Sequence, residues 1–187
     1  SNMIDYPSIN EDVSGIEIPS DILICKSCDV GMAEPMLDQD SINIIYNDSI
    51  YWSESLQVKI SKKNYPTAFS LAASRWTLIK DYLKKDSEIE ILDIGSGLGC
   101  LGISALEDDL VSVSKYVAVD SDRNILKMLS TYWSENNNSA ELNILEDIDQ
   151  YSGKADIVVL SHVLEHVEDP FLFLSKIKTK IKVGGLL

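Results

Sequence analysis

Asp93, Gly95, Gly97, Gly99 and Gly102 fall in one short stretch, "DIGSGLGCLG", directly after the apolar run "IEIL". Glycine weakens regular structure wherever it sits, so a cluster of this kind marks a place where something must approach the main chain closely. A strand, a glycine turn and a helix in succession bring backbone amides and the positive end of a helix toward an anionic or polar ligand. Two ligand classes suit the spacing. Read as Gly97-x-Gly99-x-x-Gly102 it matches a dinucleotide fingerprint, with Asp120 at a suitable distance to hold a ribose. Read as Asp93-x-Gly95-x-Gly97-x-Gly99 it sets a carboxylate at the strand end before the first glycine. Two further groups carry chemistry. His162 and His166, the only histidines, lie four apart in "SHVLEH", a spacing that lets them share one face of a helical turn. Cys25 and Cys28 form a single CxxC.

The elements that must hold these residues follow from periodicity. Ala68, Ala72, Trp76, Ile79 and Leu83 recur at helical spacing and predict a helix over 62–85, with Pro66 in its first turn. Beyond it the pattern alternates: strand 89–95, helix 98–107, strand 115–120, helix 122–136, strands 140–145 and 155–161, helix 170–181. Ser121 is the expected N-cap of the helix at 122, with Ile125, Leu129 and Tyr132 or Trp133 as its buried stripe. Asp169 and Pro170 open the last helix, Phe171, Leu174, Ile177 and Ile181 are expected inside, and Gly184 is the expected stop. Such alternation implies an α/β fold, a Rossmann-like doubly wound and mostly parallel sheet with helices on both faces. Leu186 and Leu187 read as the opening of a further strand, so the sheet reads as cut short at its C-terminal edge. The unpaired edge would then suit a homo-oligomer.

Composition narrows the partners. The formal charge is −14 with Lys+Arg 16 against Asp+Glu 30, which disfavours a nucleic-acid substrate, because phosphate backbones are bound through lysine and arginine. Acids crowd residues 1–60, where Lys26 and Lys59 are the only bases, while basic residues gather in 61–85. We therefore divide the chain into an acidic appendage, 1–60, and a main domain, 61–187. No apolar run is long enough for a membrane span, and three cysteines without an export signal point to a reducing, cytoplasmic setting.

"ILDIGSGLG" (91–99) resembles motif I of the class I S-adenosylmethionine-dependent methyltransferases, and "VAVD" (117–120) resembles the end of their second strand. "ADIVVLSHVLEHVEDPFLFLSKIKTKIKVGGLL" (155–187) is similar to their fourth strand, the following helix and the lead into the fifth strand, and its "LEHVEDP" segment is the most specific of the three. The resemblance covers 88–187 and implies methyl transfer from S-adenosylmethionine to a small-molecule acceptor, leaving S-adenosylhomocysteine. It implies that the amides of Gly95, Gly97 and Gly99 receive the cofactor's carboxylate, that Asp93 attracts its ammonium and that Asp120 accepts from the ribose hydroxyls. Asp147 and Ile148 of "EDI" would flank the adenine, and Ser96, Ser121 and Ser161 would line the same site. His162 is the candidate for the acceptor side, with Glu165 as a brace.

"ILICKSCDVGMAEP" (22–35), with "YNDSIYW" (46–52), resembles the small zinc ribbon that precedes this domain in some relatives, but its second CxxC is missing. Structural zinc wants four ligands, and the remaining candidates, Cys100, His162 and His166, belong to the cofactor and methyl sites, so no zinc is expected. Tyr46, Tyr51, Trp52 and Tyr65 are candidates for a lid or for packing. Two other readings stand beside the enzyme: a non-catalytic S-adenosylmethionine-binding or assembly module of the same fold, and an NAD-dependent oxidoreductase.

Overall fold

A computed structural model of the chain describes residues 12–13, 16–17, 21–27, 29, 31–34, 58–136 and 138–187. Cys28 and the aromatic residues Tyr46, Tyr51 and Trp52 lie outside them. Two small antiparallel ribbons come first, β1 (Asp12–Val13) with β2 (Ile16–Glu17) and β3 (Asp21–Ile24) with β4 (Gly31–Glu34). Cys25 directly follows β3, and its carbonyl accepts from the Asp29 amide at 2.8 Å.

The main domain runs α1 (Pro66–Lys80), β5 (Glu88–Ile94), α2 (Cys100–Leu106), β6 (Ser112–Val119), α3 (Arg123–Glu135), β7 (Glu141–Leu145), β8 (Ala155–Leu160), α4 (Pro170–Lys178) and β9 (Ile181–Leu186). Its five strands pair in the order β7-β6-β5-β8-β9, all parallel. This is the Rossmann-like α/β sheet expected from the alternation. The strand faces separate cleanly along β5. Ile89 and Ile91 join the core formed with Phe69, Ala72 and Trp76 of α1, with α2 and with Ile125, Leu129 and Trp133 of α3. Leu92 and Ile94 join the opposite core with Val117, Val119, Val158 and Ile177 of α4. After β5 the chain steps outward to β6 and β7, then returns to the other side of β5 as β8. That reversal opens a crevice beyond the carboxyl ends of β5 and β8, where ligands bind in open α/β sheets.

Several boundaries differ from expectation for identifiable reasons. The first helix ends at Lys80, not 85, because the amides of Tyr82 and Leu83 bond to Ile79 and Lys80 in tighter three-residue turns and Asp86 takes a left-handed conformation, φ 60°. α4 stops at Lys178, and only Ile177 of its expected inner face is fully buried; Phe171 is 84% exposed. The strand expected to open at Leu186 begins at Ile181. There Ala155 to Ile157 on β8 stands opposite Ile181 to Leu186 on β9, and Gly184, at φ 79°, lies in that irregular pairing instead of ending a helix. β9 is therefore the strand outside β8 among the described residues.

Candidate functional site

β5 delivers the chain into a loop whose Gly95, Gly97 and Gly99 all take left-handed conformations, φ 70°, 50° and 68°. For other residues each such turn costs about 1–2 kcal/mol. Space reinforces the requirement: a β-carbon on Gly95 would stand 2.6 Å from Val163 Cγ2, and one on Gly99 2.5 Å from Leu129 Cδ1. The loop is fastened to the end of β6. The Gly95 and Ser96 amides both donate to the Val119 carbonyl, at 2.8 and 3.0 Å, and the Gly97 amide donates to Asp120 Oδ2 at 2.8 Å. The Gly99 amide closes onto the Ser96 carbonyl at 2.9 Å. The three glycine amides assigned to a ligand carboxylate are thus engaged within the protein. What the loop does offer is the Ser96 hydroxyl, whose oxygen is buried and finds no hydrogen-bond partner among the described residues, and the start of α2, which carries no side-chain cap.

Asp120 stands one residue past β6 with both oxygens engaged, Oδ2 by the Gly97 amide of this loop and Oδ1 by the Asp122 amide at 3.0 Å. Burial raises its carboxyl above the usual range, and the Asp122 and Gly97 amides pull it back. The N-cap of α3 is the buried Asp122, which accepts from the Asn124 and Ile125 amides at 2.8 and 3.3 Å. Ser121, expected in that role, is exposed in the preceding bend.

Asp93 is 3% exposed on the face of β5 shared with Ile91, and its Oδ2 accepts from the Tyr116 hydroxyl at 2.6 Å. Burial pushes its carboxyl up to about 7; the Tyr116 hydrogen bond and Arg75 oppose that rise, and Asp120 adds to it. A stability consequence follows. The unfolded chain ionises near 3.8 and the folded one near 7, so this group makes folding less favourable as pH climbs from about 4 to 7, and the penalty is fully present above that range. Asp93→Asn should therefore gain stability relative to the parent protein, on the order of 2 kcal/mol more at pH 8 than at pH 4.5. Urea unfolding at the two pH values measures this, and a difference independent of pH would refute it.

β8 leads out through Ser161 into His162, a non-glycine residue at φ 55°. Its Nδ1 lies 3.2 Å from Glu165 Oε1, with both side chains well exposed. Leu164–His166 form a single tight turn that His162 precedes, so the two histidines do not share a helical face as their spacing had implied. Val163, between them, lies against Gly95 and brings the β8 exit onto the glycine loop.

The "EDI" corner is built differently from a simple ligand wall. Asp147 caps the short turn Ile148–Gln150, accepting from the Asp149 amide at 2.7 Å while Gln150 reaches back to the Asp147 amide. Ile148 is 6% exposed and packs into the core with Leu92 and Val119, so a ring at this corner would meet Asp147 and the turn before it met Ile148. A groove of about 410 Å³ runs nearby, between α3 and β7, lined in part by Arg123, Glu146 and Gln150. It opens beside the far edge of the sheet, away from the glycine loop. Cys100 is buried and its thiol is pushed up to about 12, chiefly by burial and then by Asp93, so it behaves as a core residue. Among the described residues no three histidine, cysteine or acidic side chains gather as a metal set, and no helix is long and apolar enough to cross a membrane.

Tyr116 is the contributor that periodicity alone misses. Its signal is a phenol opening the apolar run "YVAV" of β6, on the same face as the neighbouring strand's only buried acid.

Comparison with known proteins agrees with this architecture. Residues 69–187 match a family described as a methyltransferase domain. The mitochondrial ubiquinone biosynthesis O-methyltransferase of Candida albicans is 30% identical over 113 residues, covering 58% of this chain and 34% of that protein. The chain thus spans about a third of that relative's length. Among solved structures, the cyclopropane synthase MmaA2 from Mycobacterium tuberculosis superposes with a TM-score of 0.51 at 18% identity, covering 60% of this chain and 40% of that one. That likeness is one of fold.

Proposed function

The chain belongs to the class I S-adenosylmethionine-dependent methyltransferase domain family, and from that premise we propose that it binds S-adenosylmethionine over the glycine loop and transfers the methyl group to a small-molecule acceptor. The observation that carries this reading is the join between loop and strand end: Asp120 takes the Gly97 amide at 2.8 Å while the buried Ser96 hydroxyl beside it has no partner among the described residues. A carboxylate keeps further lone pairs after accepting one amide per oxygen, so Asp120 can also accept from two ribose hydroxyls. The Ser96 hydroxyl suits the amino-acid end of the cofactor. Asp93 supplies charge for the ammonium, Asp147 suits the exocyclic amine of the adenine, and Ser121 and Ser161 border the same crevice. The residues fit the cofactor, and the dinucleotide reading of "GLGCLG" yields to the family.

The cofactor, when bound, supplies a methyl group already activated on a sulfonium sulfur. The chain therefore has to exclude water, orient the acceptor and, for a hydroxyl acceptor, remove a proton. Glu165 accepts from His162 Nδ1–H, which fixes the tautomer and leaves Nε2 free to take that proton. The curated relative is named for O-methylation, so hydroxyl-bearing acceptors come first. The strongly acidic chain argues against a nucleic-acid acceptor.

Titration calorimetry with S-adenosylhomocysteine tests the cofactor half of the proposal, and S-adenosylhomocysteine release with a panel of hydroxyl acceptors tests the transfer. Absence of binding would end the proposal. Binding without turnover of any acceptor would favour the non-catalytic module. With an active acceptor, His162→Ala should lower turnover roughly tenfold, less than the usual contribution of a positioned base because the ring is exposed, and leave S-adenosylhomocysteine affinity within about twofold. An unchanged turnover number would remove His162 from the chemistry.

A further inference from the structure

We propose that Tyr116 is a positioning residue for cofactor binding: its hydroxyl locks one oxygen of Asp93 and leaves the other to meet the ligand's ammonium. This rests on the S-adenosylmethionine reading above. Tyr116 is completely buried in β6, and two neighbouring helices fix its ring. On one side is Gly102 of α2, where any β-carbon would stand 2.5 Å from Tyr116 Cε2 and Cζ. On another, the Trp133 indole of α3 stacks on it with centroids 5.4 Å apart and planes 9° from parallel. Trp133 is held in turn by its own Nε1–H, which donates to the Ala140 carbonyl at 2.9 Å. So constrained, the phenol oxygen ends 2.6 Å from Asp93 Oδ2.

A phenylalanine would fill the same space without the cost of burying a hydroxyl, so packing alone gives no reason for tyrosine here. The bond to Asp93 does. Among the described residues Oδ1 of Asp93 accepts no hydrogen bond, which leaves one defined acceptor at the end of β5 beside the glycine loop. The phenol has a second effect. Donating to the ionised carboxylate favours that form, and an ammonium is held far better by a carboxylate than by a neutral acid. The groups that act on this carboxylate are Tyr116 and Asp120 from β6 and its end, Cys100 from α2 and Arg75 from α1. Arg75 is the only cation in that set.

The test is S-adenosylhomocysteine affinity across about pH 5.5 to 8.5 for the parent protein, Tyr116→Phe, Asp93→Asn and the double variant. For the parent, affinity should rise about thirtyfold across this range and level off past neutrality, because ligand binding draws Asp93 into its charged form. Without the phenol the carboxylate ionises less readily, so Tyr116→Phe should shift the profile upward by about one pH unit, weakening binding about fivefold to tenfold at pH 7 and much less at 8.5. Asp93→Asn should flatten it. In the Asn background, removing the Tyr116 hydroxyl should change affinity less than twofold. A uniform loss in Tyr116→Phe at every pH, or an undiminished effect in the Asn background, would make Tyr116 structural and overturn the proposal. Should Tyr116→Phe fail to fold, calorimetry on the parent protein in buffers of different ionisation enthalpy still decides, because binding at pH 6.5 must release about three-quarters of a proton. No proton release would refute it. Failure of the parent protein to bind at any pH would instead sink the S-adenosylmethionine reading itself.

Discussion

Asp120→Ala should weaken S-adenosylhomocysteine binding by about 100-fold or more, while leaving the protein folded. Two charge-assisted hydrogen bonds from ribose hydroxyls to one carboxylate are worth about 1.5–3 kcal/mol each when the site is partly buried, and the alanine variant loses both. The loop suffers as well. Oδ2 holds the Gly97 amide and Oδ1 the Asp122 amide, so without them the left-handed turn at Gly97 is no longer tied to β6. The fold itself should tolerate the change, because burial already raises the Asp120 carboxyl and its removal relieves that cost. Asp120→Asn separates the two contributions, since an amide oxygen can still receive the Gly97 amide but brings no charge to the ribose. An intermediate loss is expected there, on the order of tenfold. Calorimetry on the three proteins measures it; an alanine variant within threefold of the parent would mean that the ribose lies elsewhere.

Why some of this was legible in sequence and some was not comes down to range. The glycine spacing, the strand before it and Asp120 after the next strand are local signals, and each reports a backbone conformation or a strand end. The pairing that gives those residues their work is not local. The resemblance to motif I assigns Gly95, Gly97 and Gly99 to a ligand carboxylate, whereas their amides close onto Val119, Asp120 and Ser96. Asp93 was read as facing the ligand, and only the register of β5 against β6 reveals that Tyr116 holds one of its oxygens. Likewise His162 and His166 looked like helix neighbours because four residues separate them, but a positive φ at His162 and a three-residue turn break that relation. At the end of the chain, "KVGG" carries turn signals, and pairing with β8 overrides them to make β9.

Gly102→Ala is the substitution expected to cost the fold most, although alanine is the better helix former by about 1 kcal/mol. In an exposed helix that preference would win. Here the added methyl would lie 2.5 Å from two ring atoms of Tyr116, and the ring has nowhere to go. Trp133 stacks on it, Asp93 holds its hydroxyl, and β6 fixes its root between β5 and β7. Relief requires α2 to move off the sheet, which would disturb the Gly99 turn packed on Leu129 at the head of the same helix. Overpacking of a rigid core site costs about 1–3 kcal/mol, with the broken buried hydrogen bond adding about 1–3 more. Against the propensity gain the net loss should be about 3 kcal/mol, a fall in melting temperature of roughly 6–12 °C for a domain of this size. The cause can be isolated with a second substitution. Tyr116→Val shrinks the ring that the methyl strikes, so Gly102→Ala should be nearly neutral in that background, a coupling of about 2–3 kcal/mol. Thermal and urea unfolding of the four proteins in the cycle measure this coupling. Additive losses would show that Gly102 is required for its own backbone and not for the ring it admits.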